Sequence, residues 1–275
     1  MLIKIGFDIA LRFNVSTSIL YSLKVHPSRQ GDLLAPENFR IEPNLPVQNY
    51  LDVFGNQCGR VSAGPGLIRF TNEAVIRSDD ELDELPPDLP QQDIRDLPVD
   101  TLPYLAPSRY CETDSELLGL AWSRFGHIPG GAARVHAICD FVHHYLTFDY
   151  FRARSNRSAL ESYREKTGVC RDFTHLAITL CRCLNIPAAY TTGYLGDIGV
   201  PPVPAPMDFS AWFQVYLNGR WYTFDSRHNA RRIGRVLMAR GRDASDVALT
   251  TVFGLHSIEN FHVFTEQVGC GSASS

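Results

Sequence analysis

The sequence predicts an α+β protein in two parts, and three observations carry that expectation. Residues 1–78 are short apolar runs separated by turn residues. Helical periodicity then governs 116–184, and beyond Pro187 strand-like runs return around an Asn-Gly turn. Closely spaced short strands with frequent turns predict a β-sandwich-like N-terminal domain. Helices grouped ahead of antiparallel strands predict an α+β core.

The N-terminal strands are expected at Ile3–Phe13, Ser18–Val25, Asn49–Phe54, Gly59–Ala63, Leu67–Thr71 and Ala74–Arg77, with Asn14, Gly31, Pro43, Gly55-Asn56 and Gly64-Pro65-Gly66 between or beside them. From Ser78 to Pro107 the composition turns acidic and proline-rich. Proline donates no ladder hydrogen bond and biases its predecessor toward extended backbone, so this stretch reads as a surface linker. Glu116–Phe125 predicts a short helix. Ala132–Leu146 predicts a longer one, with Val135, Ile138, Val142, Tyr145 and Leu146 on one stripe. Cys170–Leu184 carries Phe173, Leu176, Ala177, Leu180 and Leu184 on another stripe, and Pro187 stops it. Strands follow at Ala188–Gly193, Ala211–Leu217, Arg220–Asp225, Ala248–Gly254 and Phe261–Thr265. The expected boundaries are an N-terminal β domain at 1–78, a linker at 79–108, a core at 109–268 and a disordered tail at 269–275.

Composition narrows the function classes. Of 275 residues, 44% are apolar and 20% charged, which separates the chain from disordered sequences. A net charge of -4 and a pI near 6.1 give no footprint for nucleic acid or an anionic membrane as partner. No apolar run approaches the roughly 20 residues that span a bilayer. Lys4 and Asp8 interrupt the first apolar run, which reads as a strand rather than an export signal. The seven cysteines show no disulfide-framework spacing, so reduced thiols in the cytoplasm are expected. Nothing in the chain sets an oligomeric state.

Cys170 is the candidate nucleophile. It opens the helix predicted at 170–184, where unpaired N–H groups and the helix dipole favour a thiolate. Gly168 eases the approach of the backbone, and the N–H of Cys170 is a candidate oxyanion donor. Cys58, Cys111, Cys139, Cys181 and Cys183 read as small buried hydrophobes. Downstream, Asn218-Gly219 between two apolar runs predicts a hairpin with a two-residue loop. That loop pairs 217 with 220 and, continued, 212 with 225 and 210 with 227. Period-two alternation then puts Ser210, Trp212 and Asp225 on one sheet face, with Ser210 and Asp225 as diagonal neighbours.

Gly168-Val169-Cys170-Arg171-Asp172-Phe173, Leu184 to Tyr190, Gly193-Tyr194, Ala211 to Tyr216 and Phe224-Asp225 together resemble the transglutaminase-like superfamily, and within it a bacterial branch described as cysteine proteases. The resemblance covers roughly 109–265, and the stretch from Tyr50 to Asn56 resembles the β region that precedes that core. It implies a papain-like core and a Cys-His-Asp site. Cys170 matches the nucleophile and Asp225 the carboxylate that orients the histidine, while Ser210 stands where that histidine belongs. Trp212 and Asp172 are expected at the substrate.

Among the other histidines, His228 is the candidate substitute base, provided the strand ends or bulges at Ser226-Arg227. His175 is expected to be buried. His136, Asp140 and His144 recur at i, i+4 and i+8 and read as a polar stripe, so no metal is expected, and no cofactor is implied. Arg231, Arg232, Arg235, Arg240 and Arg242 read as a solvated loop or as a partner for the acidic linker, and Gly196–Pro206 as a wall or lid near Cys170.

Two functions follow from these residues. One is a thiol hydrolase or acyltransferase acting on peptide or side-chain amides. The other is a catalytically silent protein that uses the same cleft to bind peptides or proteins.

Overall fold

The computed structural model describes residues 1–84, 86, 88–203 and 207–269. The expected tail, apart from Gly269, and three residues of the expected Gly196–Pro206 lid lie outside them. The chain forms fourteen strands among these residues: β1 Leu2–Phe13, β2 Thr17–Tyr21, β3 Arg40–Glu42, β4 Val47–Leu51, β5 Gln57–Ala63, β6 Gly66–Arg77, β7 Thr147–Phe148, β8 Thr167–Gly168, β9 Ala188–Tyr194, β10 Ser210–Leu217, β11 Arg220–Phe224, β12 Val236–Gly241, β13 Thr250–Val252 and β14 His256–Val268. Its α-helices are α1 Glu116–Phe125, α2 Ala132–Tyr145, α3 Ala159–Glu165 and α4 Cys170–Cys183. The result is the α+β architecture that the sequence predicts.

Two four-stranded antiparallel sheets, ordered β14-β1-β6-β3 and β13-β2-β5-β4, build the N-terminal β unit. Alternation on β1 sends Ile3, Ile5, Phe7 and Ile9 into one apolar cluster with Ile19, Tyr21 and Val61 of the second sheet. Each fully buried side chain of this size contributes about 1.5–3 kcal/mol. The expected domain boundaries are corrected here. β13 pairs with β2 and β14 with β1, so the last strands complete the first domain instead of ending the core. Val263 faces Phe7 across that ladder and both are buried, an apolar contact that no local pattern announces.

The core is the sheet β11-β10-β9-β12 with helices on one face. Ala188 and Tyr190 of β9, with Ala211, Phe213, Val215 and Leu217 of β10, meet Phe173, Leu176, Ala177 and Leu180 of α4. Every residue of α4 from Asp172 to Cys183 is buried, so it is a central helix rather than a half-solvated one.

The linker lies along this core. Gln91 donates to the carbonyl of Leu184 at 2.8 Å, and the N–H of Ala132 to that of Leu89 at 3.0 Å. Asp83 accepts from Nε of Arg235 at 2.9 Å and from the N–H of Arg232 at 3.0 Å. The arginine cluster is therefore no solvated loop. Arg232 and Arg235 are buried, and Arg240 belongs to β12.

Candidate active site

The chain reaches α4 through β8, which pairs in parallel with β7. Asp172, at the third helical position, accepts from the N–H of Val169 at 2.9 Å and so satisfies one of the unpaired donors of a helix start. It also accepts from Nη1 of Arg157 at 2.9 Å and Nη2 of Arg171 at 3.0 Å, and it is 0% exposed. A Cβ at Gly168 would stand 2.5 Å from that of Asp172, so glycine is what lets this carboxylate close against the loop. The expected substrate contact by Asp172 is thereby corrected: its oxygens hold the helix start that presents Cys170.

Cys170 is half-buried and opens into a cleft of about 370 Å³. Tyr190, Thr192, Asp208, Phe209, Ala211 and Val247 form much of its wall. Burial first, then the negative charges of Asp208 and Asp225, push the thiol up to about 11, against the pull of the N–H groups of Ala211 and Arg171. The helix start is favourable, but desolvation and two neighbouring carboxylates outweigh it.

Asp225 follows the last residue of β11. The hairpin register runs as expected from Leu217↔Arg220 to Phe213↔Phe224 and stops there, so 212 and 210 have no ladder partners on that side. Asp225 instead starts a turn. Its Oδ1 accepts from the N–H groups of Arg227 and His228, both at 3.0 Å, and the N–H of Asn229 bonds its carbonyl at 2.8 Å. This turn brings His228 back, with Nδ1 2.8 Å from Oδ2 of Asp225. Nη2 of Arg235 reaches the same oxygen at 2.9 Å. Burial alone would raise this carboxyl; Arg235 and His228 win, and it lies well below the usual carboxylate range.

The remaining expected residues lie elsewhere. Ser210 pairs with Gly193 at the start of β10 and is not among the residues lining the Cys170 cleft. Trp212 is buried and is likewise absent from that wall. It lines a second cleft with Gln214, Thr223 and the acidic segment, under the Arg235 guanidinium 5.1 Å from its ring centre. His228 lines neither cleft.

A solved structure of a putative cysteine protease from Cytophaga hutchinsonii is 31% identical in sequence, with a TM-score of 0.84, over 97% of this chain and 90% of that one. The model of the transglutaminase-like superfamily matches residues 126–226, a span that holds Cys170, Ser210 and Asp225. The chain belongs to the transglutaminase-like superfamily. An uncharacterised protein of Mycobacterium leprae is 31% identical over 94 residues, a third of this chain and a third of that protein's length. The periplasmic domain of TgpA from Pseudomonas aeruginosa aligns with 82% of this chain at 12% identity and a TM-score of 0.39.

The superfamily is one of thiol enzymes, and Cys170 lies within the matched span. No helix among the described residues is long and apolar enough to cross a membrane. Two other histidines are held structurally. His175 is buried between Tyr110 and Tyr190 and takes the N–H of Ala244 on Nε2 at 3.1 Å. His136 packs on Phe224, and Asp140 accepts from Asn229.

Sequence reasoning missed Asp208 and Arg235. The first had a signal, because it stands two residues before Ser210, where the sequence resemblance leads one to expect a histidine. The second was hidden inside a run of arginines.

Proposed function

We propose that this chain is a thiol enzyme that transfers acyl groups from peptide or side-chain amides through Cys170. The observation that carries the reading is the cysteine itself, at the first position of a buried, capped helix and facing an open cleft. In that reaction the sulfur attacks the amide carbonyl and forms a thioester, which water then resolves. The N–H of Cys170 belongs to the first turn of α4, where no intrahelical carbonyl can take it, and it would stabilise the developing oxyanion. Apolar wall residues such as Phe209, Ala211, Val247 and Leu249 favour an acyl group with an apolar flank. The likeness to a protein described as a protease supports hydrolysis over cross-linking.

One observation favours a second reading, a peptide- or protein-binding cleft without turnover. Among the described residues no imidazole lines the wall around Cys170. Release of free amine from unstructured peptides, or of ammonia from glutamine-containing ones, separates the two. Turnover that disappears in Cys170→Ala supports the enzyme. Peptide binding without turnover supports the silent protein.

A further inference from the structure

We infer that Asp208, and not a histidine, takes the proton from Cys170 in this site. The inference rests on the acyl-transfer reading above and names the group that would take the place of the missing imidazole.

Position comes first. Asp208 and Cys170 share the walls of one cleft, together with Phe209 and Ala211 from the segment that leads into β10. Ala211, three residues beyond Asp208, also lines the cleft, and its N–H pulls the thiol down. Two of the protein's carboxylates bear on this thiol, and of these Asp208 lies in the cleft wall while Asp225 lines a cavity with His136 and Cys139.

Commitment comes second. Asp225 has four donors on its two oxygens: the N–H groups of Arg227 and His228, Nδ1 of His228 and Nη2 of Arg235. A carboxylate offers about four lone-pair positions, so Asp225 has none left for a further imidazole. Asp208 has a single donor among the described residues, the N–H of Phe209 at 2.6 Å on Oδ1. Its remaining lone pairs can take a proton.

Electrostatics comes third. Burial raises the Asp208 carboxyl above its ordinary value, which makes it a stronger base than an exposed carboxylate. Ionising the sulfur with Asp208 still charged would place two anions in one cleft. Passing the proton to Asp208 avoids that. The other titratable and charged groups of this neighbourhood are Tyr150, Arg154, Arg171, Tyr190 and, near Tyr150, Arg227. None of them carries a carboxylate or an imidazole.

The steps balance. As Sγ bonds to the amide carbon, its proton moves to Asp208. As the C–N bond breaks, Asp208 returns that proton to the leaving amine, and the thioester remains. Water then attacks the thioester and gives a proton to Asp208, which passes it to the departing thiolate. The sum is one amide and one water converted to one acid and one amine.

The test uses the whole chain, with p-nitrophenyl acetate and peptide anilides as acyl donors and iodoacetamide as a thiol probe. The variants are Asp208→Asn, Asp208→Glu and Cys170→Ala. Asp208→Asn is expected to lower anilide turnover about 100-fold, within the usual span for general-base catalysis. The same variant should alkylate faster at Cys170, by about threefold or more at pH 8, because removing the adjacent charge eases ionisation of the thiol. Asp208→Glu should recover part of the turnover. A merely structural residue would move turnover and alkylation in the same direction. Turnover in Asp208→Asn within threefold of the parent, or a joint fall of both rates, would overturn the inference. Full turnover in Cys170→Ala would instead overturn the acyl-transfer reading beneath it.

Discussion

Replacing Asp172 by alanine should unfold the protein far more readily without touching the cleft wall. The carboxylate is 0% exposed and closes a buried pair with Arg157, itself 2% exposed, at 2.9 Å. Removing one partner of such a pair typically costs about 3–5 kcal/mol, because the other charge stays behind unpaired. Arg157 would keep Glu165 at 3.1 Å and the carbonyl of Arg152 at 2.7 Å, which places the expected loss at the low end. Losing the bond to the Val169 N–H adds about 1 kcal/mol, the usual value of a cap. The sum is about 4 kcal/mol, read from urea unfolding followed by circular dichroism at pH 7. A loss below about 1 kcal/mol would refute the account of how the nucleophile's helix is anchored. Asp172→Asn, which keeps an acceptor for Val169 but not the charge, should fall between the two.

Other expectations concern pH and the missing histidine. His175, His26 and His136 are all held below the ordinary histidine value, chiefly by burial. Below pH 6.5 the unfolded chain binds protons that the folded one refuses, so stability should fall as pH drops from 7 to 5. Each such group contributes at most about 1.4 kcal/mol per pH unit. His175→Gln should flatten the slope measured by urea titration at several pH values, and an unchanged slope would count against it. The thiols of Cys170 and Cys111, near 11, and of Cys183, near 12, act at the other end. The unfolded chain loses these protons first, so stability should also decline as pH rises above about 9, most simply seen in thermal melts. Ser210→His should raise amide turnover by less than about tenfold, because Asp225 is already filled by Arg235 and His228. A gain of about 100-fold would show that an imidazole at 210 works without that carboxylate.

Much of the helical core was legible because its apolar stripes are local. The bounds of α1 match the expected ones, and those of α2 and α4 differ from them by one residue. The hairpin register was equally legible: Asn218 and Gly219 both adopt positive φ, and that turn fixes the pairing of its strands. The register failed at Asp225, where a side chain that captures the next N–H groups competes with continued strand. α3 was missed despite a signal, the Ser158 and Glu161 capping box, because seven residues give too short a stripe. The pairing of β14 with β1 had no signal of its own, since nothing in either segment marks a partner some 250 residues away. Asp172 and Trp212 share a lesson. Polar or aromatic residues beside a nucleophile are as often its scaffold as its substrate contacts, and burial decides which.

The thioester itself is the most direct test of the central claim. After brief exposure to p-nitrophenyl acetate and an acid quench, peptide mapping by mass spectrometry should find one acetyl group on Cys170, removable by hydroxylamine and absent from Cys170→Ala. An acetyl group found only on other residues, or found equally in Cys170→Ala, would contradict acyl transfer at this cysteine.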